Sequence, residues 1–312
     1  MAQVVVVHGV GQQYLGRRTL REPVAAALAD GVELAVAAGD ITGRTPAPHD
    51  IDVAFYGDVF RAPGTKGEPP APRSAADLTD PYEQALLEAW AAAASQLAGP
   101  SPAGTKAPTP RTLQRAMNTL LRSPFLPGPV AERFLLGVLR QVRRYFTDDA
   151  VRARAADAVS ARIGPDTRVL VGHSLGSVVA YEALTAHPEW PVRTLVTLGS
   201  PLGMPSLVFD RLRPAPAAGR GQWPGGLERW TNLTDRHDVV ASVKDLAPLF
   251  GPRRPGPVPT GRASAAPQPA VAPNGPALHD IPVDNGWKVH DLLRHLTARE
   301  TGAAIGSGLA ET

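Results

Sequence analysis

Residues 167–184, TRVLVGHSLGSVVAYEAL, constrain the fold more than any other stretch of the chain. The apolar run at 169–171 predicts a short buried strand, and the apolar residues after Gly176 are typical of a buried helix. Only a tight turn fits between the two. The sequence therefore predicts a strand, a sharp turn and a helix, with the hydroxyl of Ser174 held at the end of the strand. The helix N-terminus beneath that hydroxyl favours an anion.

The turn itself has the pattern G-x-S-x-G, with Gly172 and Gly176 placed two residues before and after Ser174. In this context the chain resembles the α/β-hydrolase superfamily, and within it the lipase-like and esterase-like serine hydrolases. Motifs that carry the resemblance are spread over residues 4–290. It implies an α/β-hydrolase fold: a mostly parallel central sheet with helices on both faces, and a serine nucleophile.

Composition fits one soluble globular domain covering residues 1–312, since 43% of the residues are hydrophobic and 20% are charged. No stretch has the apolar length of a membrane span, and the first residues lack the pattern of a secretory signal. We therefore expect a cytoplasmic protein. The chain has no cysteine, which excludes disulfides, thiolate metal sites and cysteine nucleophiles.

Charge and aromatic content argue against nucleic-acid binding. The net charge is +3, the sequence pI is about 9.4, and aromatic residues make up only 5% of the chain, too few to suggest stacking platforms for bases. The sequence contains no recognised nucleic-acid motif. Neither a metal nor an organic cofactor is implied by any motif.

A β-branched run at 4–7 predicts a central strand that ends in His8-Gly9-Val10-Gly11. In the lipases that the chain resembles, the first strand likewise ends in His-Gly-x-Gly. The resemblance implies that the backbone amides of Val10 and Leu175 form an oxyanion hole. We interpret His8 as a structural residue, and an ordinary glycine-rich turn is the alternative for the loop.

Residues 22–38 and 50–57 predict a helix and a second parallel strand, and the pattern changes after them. Residues 60–147 predict a helical insertion or cap, with helices at 82–97, 112–121 and 130–146. This insertion is either a lid over the active site or a fixed helical embellishment. The last of the three helices is basic and amphipathic, so it could lie on an anionic membrane or bury its apolar side in the protein. Residues 251–276, rich in Pro, Gly and Ala, predict a flexible loop.

A candidate acid lies after the strand predicted at 229–233. The resemblance implies the chain order Ser, Asp or Glu, His, and two aspartates compete. We favour Asp238, which is followed by two valines as in related turns, with Asp235 as the alternative acid. The other aspartate would then accept turn amides. His237 lies too close to the acid in sequence to fit the expected order.

Three histidines follow as candidates for the base. His279 is predicted to precede the last strand, and His295 to lie inside the last helix. His290 follows an Asn-Gly turn at the entrance of that helix, which is the position that resembling family members use. We therefore assign His290.

Together these residues predict a serine hydrolase that cleaves a carboxylic ester, with a small acyl ester or a lipid as substrate and peripheral membrane contact as an option. A thioesterase is an alternative, as is a phospholipase-type effector. Because a cytoplasmic lipase would endanger its own cell, the insertion or a partner would hold such an effector closed. A non-catalytic binding module that kept the fold is the third alternative.

Overall fold

A computed structural model describes residues 2–61, 74–98, 109–122, 131–252 and 275–310. Within these residues one sheet contains six strands, each parallel to its neighbours in the order β2-β1-β3-β4-β5-β6. The strands are β1 (Val4–Val7), β2 (Ile51–Ala54), β3 (Val169–His173), β4 (Thr194–Leu198), β5 (Arg229–Asp235) and β6 (Ala277–Val283). Because all strands are parallel, their carboxyl ends share one edge of the sheet, where open α/β sheets place their ligands.

Helices form most of the crossover connections that parallel neighbours require, while β4 is joined to β5 by a long segment with one 3-10 turn. Those in the described ranges are α1 (Arg17–Ala37), α2 (Pro81–Ala98), α3 (Pro110–Leu121), α4 (Ala131–Thr147), α5 (Asp149–Ser160), α6 (Leu175–Ala186), α7 (Ala247–Phe250), α8 (Leu292–Thr297) and α9 (Arg299–Ala310). The short α8 and α9 follow the last strand without a further strand between them.

The sheet separates two hydrophobic cores. Along β1, Val5 and Val7 face a core shared with α2 to α6, whereas Val4 and Val6 face a core shared with α1, α8 and α9. All four valines are fully buried, because successive side chains of a strand point to opposite faces and both faces are covered. The predicted parallel sheet with helices on both faces is confirmed, and the architecture is consistent with an α/β-hydrolase fold.

Some boundaries differ from the prediction. Helix α1 begins at Arg17, five residues before the predicted start, and β2 ends at Ala54 because residues 57–60 turn into a 3-10 helix. The placement of His279 before the last strand is wrong: β6 begins at Ala277, and its pairing with β5 already starts there, opposite Arg229. Backbone pairing, rather than an apolar run, sets that start.

The region predicted as an insertion, 60–147, contains α2, α3 and α4. Its segments 62–73, 99–108 and 123–130 lie outside the described residues, as does most of the loop predicted at 251–276. Helix α4 buries Leu135, Leu139 and Val142 in the core. Most of the apolar side of this helix is therefore buried in the protein, which is the second of the two alternatives, while Phe134 of the same helix is 47% exposed.

None of the helices that the structure describes is both long enough and apolar enough to cross a lipid bilayer.

Candidate active site

Ser174 occupies a strained turn between β3 and α6. Its backbone has φ 54° and ψ −130°, a conformation that non-glycine residues rarely adopt. The neighbouring glycine permits the turn, since a Cβ on Gly176 would lie 2.3 Å from the carbonyl oxygen of Val7. The Oγ of Ser177 donates a 2.6 Å hydrogen bond to the carbonyl of Ser174 and so fixes the strained peptide.

Ser174, His290 and Asp238 form a hydrogen-bonded chain. The Nε2 of His290 lies 2.9 Å from the Oγ of Ser174, and its Nδ1 lies 2.6 Å from Oδ2 of Asp238. The side chain of Asp238 has no exposed surface and that of His290 is 15% exposed. Because a carboxylate can only accept, Nδ1 carries the proton, which leaves Nε2 free to accept the serine proton.

The carboxylate of Asp238 is held in its charged form. Burial acts to raise its pKa, but the adjacent His290 and the hydrogen bond to it outweigh burial and lower the pKa below its usual range. Oδ1 accepts a 2.9 Å bond from the amide of Val240. The turn itself is tied by the Nζ of Lys244, which donates to the carbonyls of Asp235 and Asp238 at 3.0 and 2.6 Å. Both carboxylate oxygens and the backbone carbonyl of Asp238 are therefore hydrogen-bonded.

Asp235 has a different environment, although only three residues separate it from Asp238. Its two carboxylate oxygens accept the backbone amides of His237 and Asn285, both at 2.8 Å. The second bond ties the turn after β5 to the loop that carries His290. In this structure Asp235 thus binds turn amides, and Asp238 is the aspartate that contacts His290.

The other candidate histidines lie away from Ser174. His279 lies in β6 with an exposed side chain, and His237 is partly exposed beside Asp235. His295 lies inside α8, fully buried, and among the described residues neither ring nitrogen has a hydrogen-bond partner. Burial lowers its pKa to about 4, so the ring is neutral.

The loop after β1 lies against the elbow. A Cβ on Gly9 would lie 2.7 Å from Cβ of Ser174, and the next residue, Val10, lines the same cavity as Ser174. Leu175 is the first residue of α6, so its backbone amide has no carbonyl of a preceding helical turn to which it could donate a hydrogen bond. The Oε1 of Gln141, on α4, accepts the amide of Gly11 at 3.1 Å and holds the loop in place.

His8 supports this loop without contacting Ser174. The amide of Tyr56 donates to its Nε2 at 3.1 Å, and the Tyr56 hydroxyl donates to its carbonyl at 2.7 Å. Its Nδ1 donates to the carbonyl of Gly9 at 2.6 Å. Burial lowers the pKa of His8 to about 4, so the ring stays neutral and joins β1 to β2.

Sequence reasoning missed the role of Gly199. This residue follows β4 with φ +53°, and a Cβ on it would lie 2.7 Å from Oδ2 of Asp238 and 2.9 Å from Nδ1 of His290. Only glycine leaves room for that hydrogen bond. The signal in the sequence was the GSPLG turn at the end of a strand, which predicts a pocket edge but not this contact.

A narrow apolar cavity opens beside Ser174. Its walls come from the elbow, from α2 and α4, and from the segment after β4, and almost all of them are apolar. The lining residues are Val10, Leu86, Trp90, Val138, Val142, Phe146, Ser174, Leu175, Pro201, Met204, Val208 and Val240. Such a space accepts an apolar group and rejects a charged one.

Among the described residues, no group of three or more His, Asp or Glu side chains is arranged to hold a metal ion.

Residues 138–214 match the family model described as a PGAP1-like alpha/beta domain. The matched segment includes β3, the elbow with Ser174, α6 and β4, but neither Asp238 nor His290. A comparison with curated proteins gives no significant match, and a comparison with solved structures gives none either. The match and the parallel sheet are consistent with the superfamily suspected from the sequence, and at family level they indicate a lipase- or esterase-like α/β hydrolase.

Proposed function

We propose that this protein is a serine hydrolase that cleaves carboxylic esters with an apolar acyl group, using Ser174 as nucleophile, His290 as base and Asp238 as acid. The observation that carries this proposal is the chain of hydrogen bonds from Ser174 through His290 to Asp238, at 2.9 and 2.6 Å, beside an apolar cavity. The PGAP1-like match over the elbow supports the same class of reaction.

The mechanism follows from these contacts. His290 takes the proton of Ser174 as Oγ attacks the ester carbonyl, and the negative oxygen that forms is stabilised by the amides of Val10 and Leu175. His290 then returns the proton to the leaving alcohol. In the second half, water attacks the acyl-enzyme with His290 again as base, and the carboxylic acid is released. Asp238 stabilises the imidazolium in both halves.

The substrate class is argued from the cavity. Its lining is apolar, so the acyl chain enters it, and the tightly packed side chains of α2 and α4 limit how much chain fits. A thioester of the same acyl group fits the same space and uses the same chemistry, so thioester hydrolysis is the second candidate. A regulated phospholipase-type effector would be a special case of the carboxylic-ester hydrolase, the first candidate.

The nucleophile is tested with a fluorophosphonate probe and p-nitrophenyl esters. We expect the native protein to be labelled and Ser174→Ala to lose both labelling and ester hydrolysis. Ser206→Ala is the matched control, since Ser206 is an exposed serine that also has positive φ, 61°. Labelling that persists in Ser174→Ala would refute the assignment, whereas a native protein that is never labelled would favour a binding module.

The acyl pocket is tested by narrowing it. We expect Val142→Phe to lower the rate for long p-nitrophenyl esters more than the rate for the acetate, because Val142 lines the cavity. Leu139→Phe is the control: Leu139 is a buried residue of the same helix that does not line the cavity. Equal losses for short and long esters would contradict an acyl pocket. Acyl thioesters of matched length decide between the two candidate substrates.

We also propose that the rim of the site contacts an anionic lipid surface. Support comes from three exposed aromatic residues on segments that border the site: Tyr14 (84% exposed) after the Val10 loop, Phe134 (47%) against Gly11, and Trp287 (61%) before His290. The Nζ of Lys288 lies 5.1 Å from the ring centre of Trp287, a combination suited to a headgroup region.

This contact is tested by sedimentation with phosphatidylcholine vesicles, with and without phosphatidylglycerol. We expect binding to the anionic vesicles and its loss in the Tyr14→Ser, Trp287→Ser double variant. Leu34→Ser, which replaces an exposed leucine of α1, is the control and should bind normally. Equal binding by the double variant and the native protein would contradict this surface.

A further inference from the structure

His173 lies between the two halves of the proposed machinery. It is the last residue of β3, directly before Ser174, and is 7% exposed. Its Nε2 lies 3.0 Å from the backbone carbonyl oxygen of His290. The two imidazole rings are 4.8 Å apart between centres, with an interplanar angle of 38°. His173 thus contacts the backbone and the ring of the proposed base, yet touches no reacting atom.

The direction of this hydrogen bond is fixed by chemistry. A carbonyl oxygen only accepts, so the proton must be on Nε2 of His173. Burial, aided by the nearby His290, lowers the pKa of His173 well below its usual value, so the ring is neutral and carries that single proton. A neutral ring also adds no second positive charge when His290 becomes an imidazolium.

The loop that carries His290 needs such a support. It joins β6 to α8, and its tip, with Trp287 and Lys288, is exposed. At its start the amide of Asn285 donates to Asp235, and inside it the side chain of Asn285 donates to the carbonyl of Val289 at 3.1 Å. These bonds shape the loop, and the bond from His173 ties it to the strand that precedes Ser174.

We propose that His173 is a positioning residue, which sets the distance between His290 and Ser174 by donating a hydrogen bond from Nε2 to the carbonyl of His290. Asp238 orients the ring of His290 and His173 holds its backbone, so the 2.9 Å contact between Ser174 and His290 is maintained while the loop tip is exposed. This inference rests on the proposed function, since positioning matters only where His290 accepts the proton of Ser174.

The test compares His173→Gln with His173→Asn. The amide nitrogen of glutamine lies about where Nε2 of histidine does and can still donate to the carbonyl, whereas asparagine is one methylene shorter and does not reach. We expect kcat, counted per site titrated with the fluorophosphonate, to fall about 100-fold in His173→Asn with KM within about twofold. In His173→Gln we expect a loss of about fivefold or less. Titration restricts both values to folded protein.

A proton spectrum gives a second readout that needs no substrate. The Nδ1 proton in the short bond from His290 to Asp238 should give a strongly downfield resonance, absent in Asp238→Asn. We expect His173→Gln to retain it and His173→Asn to shift or broaden it. Equal kcat in the two variants, or an unchanged resonance in His173→Asn, would overturn the proposal. If the native protein hydrolyses no ester, the proposed function fails, while the resonance still decides whether His173 positions His290.

Discussion

Replacing Gly199 by alanine tests the proposed site with a single methyl group. The residue follows β4 with φ +53°, and the new Cβ would lie 2.7 Å from Oδ2 of Asp238 and 2.9 Å from Nδ1 of His290. Those two atoms are only 2.6 Å apart. The methyl group would therefore press on both partners of one hydrogen bond.

The size of the effect can be worked out from these distances. Non-bonded heavy atoms pack at about 3.5 Å, so relieving both overlaps requires Oδ2 of Asp238 to move by about 0.8 Å and Nδ1 of His290 by about 0.6 Å. Asp238 is buried and held by the amide of Val240, so its displacement is resisted and the bond between the two groups is distorted. A shift approaching 1 Å in a catalytic group costs about 100-fold in rate. The positive φ adds about 1 kcal/mol of destabilisation for any residue with a Cβ.

The assay separates these two effects by means of a second glycine. Gly219 also has positive φ, 71°, but a Cβ on it would meet no heavy atom within 4 Å. Gly219→Ala therefore shares the backbone cost without the overlap. We expect Gly219→Ala to lose about 1 kcal/mol in urea unfolding and Gly199→Ala to lose more because of the overlap, and only Gly199→Ala to lose about 100-fold in kcat for a p-nitrophenyl ester.

Full activity in Gly199→Ala, with the same stability loss as Gly219→Ala, would refute the reasoning. It would mean that the Asp238–His290 contact is not used in hydrolysis or that the loop absorbs the methyl group without moving the ring. A crystal structure of the variant would distinguish these explanations by the distance from Nδ1 to Oδ2.

Two further predictions concern the aspartates and the buried histidines. Asp238→Asn should lower kcat by about 10⁴-fold because His290 loses its orienting acceptor. Asp235→Asn should instead mainly lower the free energy of unfolding, by about 1–3 kcal/mol in urea, since the new side-chain NH₂ group then faces a backbone N–H that the carboxylate accepted. His8 and His295, whose pKa values burial lowers to about 4, bind protons more weakly folded than unfolded. The free energy of unfolding should therefore decrease as the pH is lowered from about 6.5 to about 4, by up to about 1.4 kcal/mol per pH unit for each histidine. Urea unfolding of His295→Phe across this range should show a smaller slope, and an unchanged slope would contradict the prediction.

The central part of the fold was predictable because its signals are local. Residues 4–7 form a strand, and residues 167–184 contain a strand and most of a helix. These elements are buried on all sides, so their apolar patterns are nearly continuous. The turn at Ser174 is set by glycines at fixed spacing. Each of these features depends on neighbours in sequence, and each formed where the pattern indicated.

Features that depend on distant residues could not be predicted in this way. The start of β6 is set by pairing with β5, so His279 was misplaced, and the apolar side of α4 is explained only by what covers it. Gly199 and His173 stood in the sequence as ordinary turn and strand residues. Their contacts with His290, 91 or more positions away, exist only after folding.

The choice between Asp235 and Asp238 shows the same limit in one turn. In sequence Asp235 is followed by Arg236 and Asp238 by Val239, and both are compatible with the expected order of groups. The structure distinguishes them by their donors: Asp235 receives two backbone amides, while Asp238 receives one amide and the imidazole of His290. Hydrogen-bond donors, rather than the aspartates themselves, determine which carboxylate can orient a base.

Helix α4 connects the cavity to the loop after β1, which carries the proposed oxyanion amide of Val10. Val138 and Val142 line the cavity, while Gln141, between them in sequence, accepts the amide of Gly11 beside Val10. The same helix is anchored to α6 by the hydroxyl of Tyr145, which donates to Glu182 at 2.7 Å. Substitutions that reshape this cavity must therefore leave Gln141 in place, because a displaced α4 would shift the loop that carries the proposed oxyanion amide of Val10 as well as the proposed space for the acyl chain.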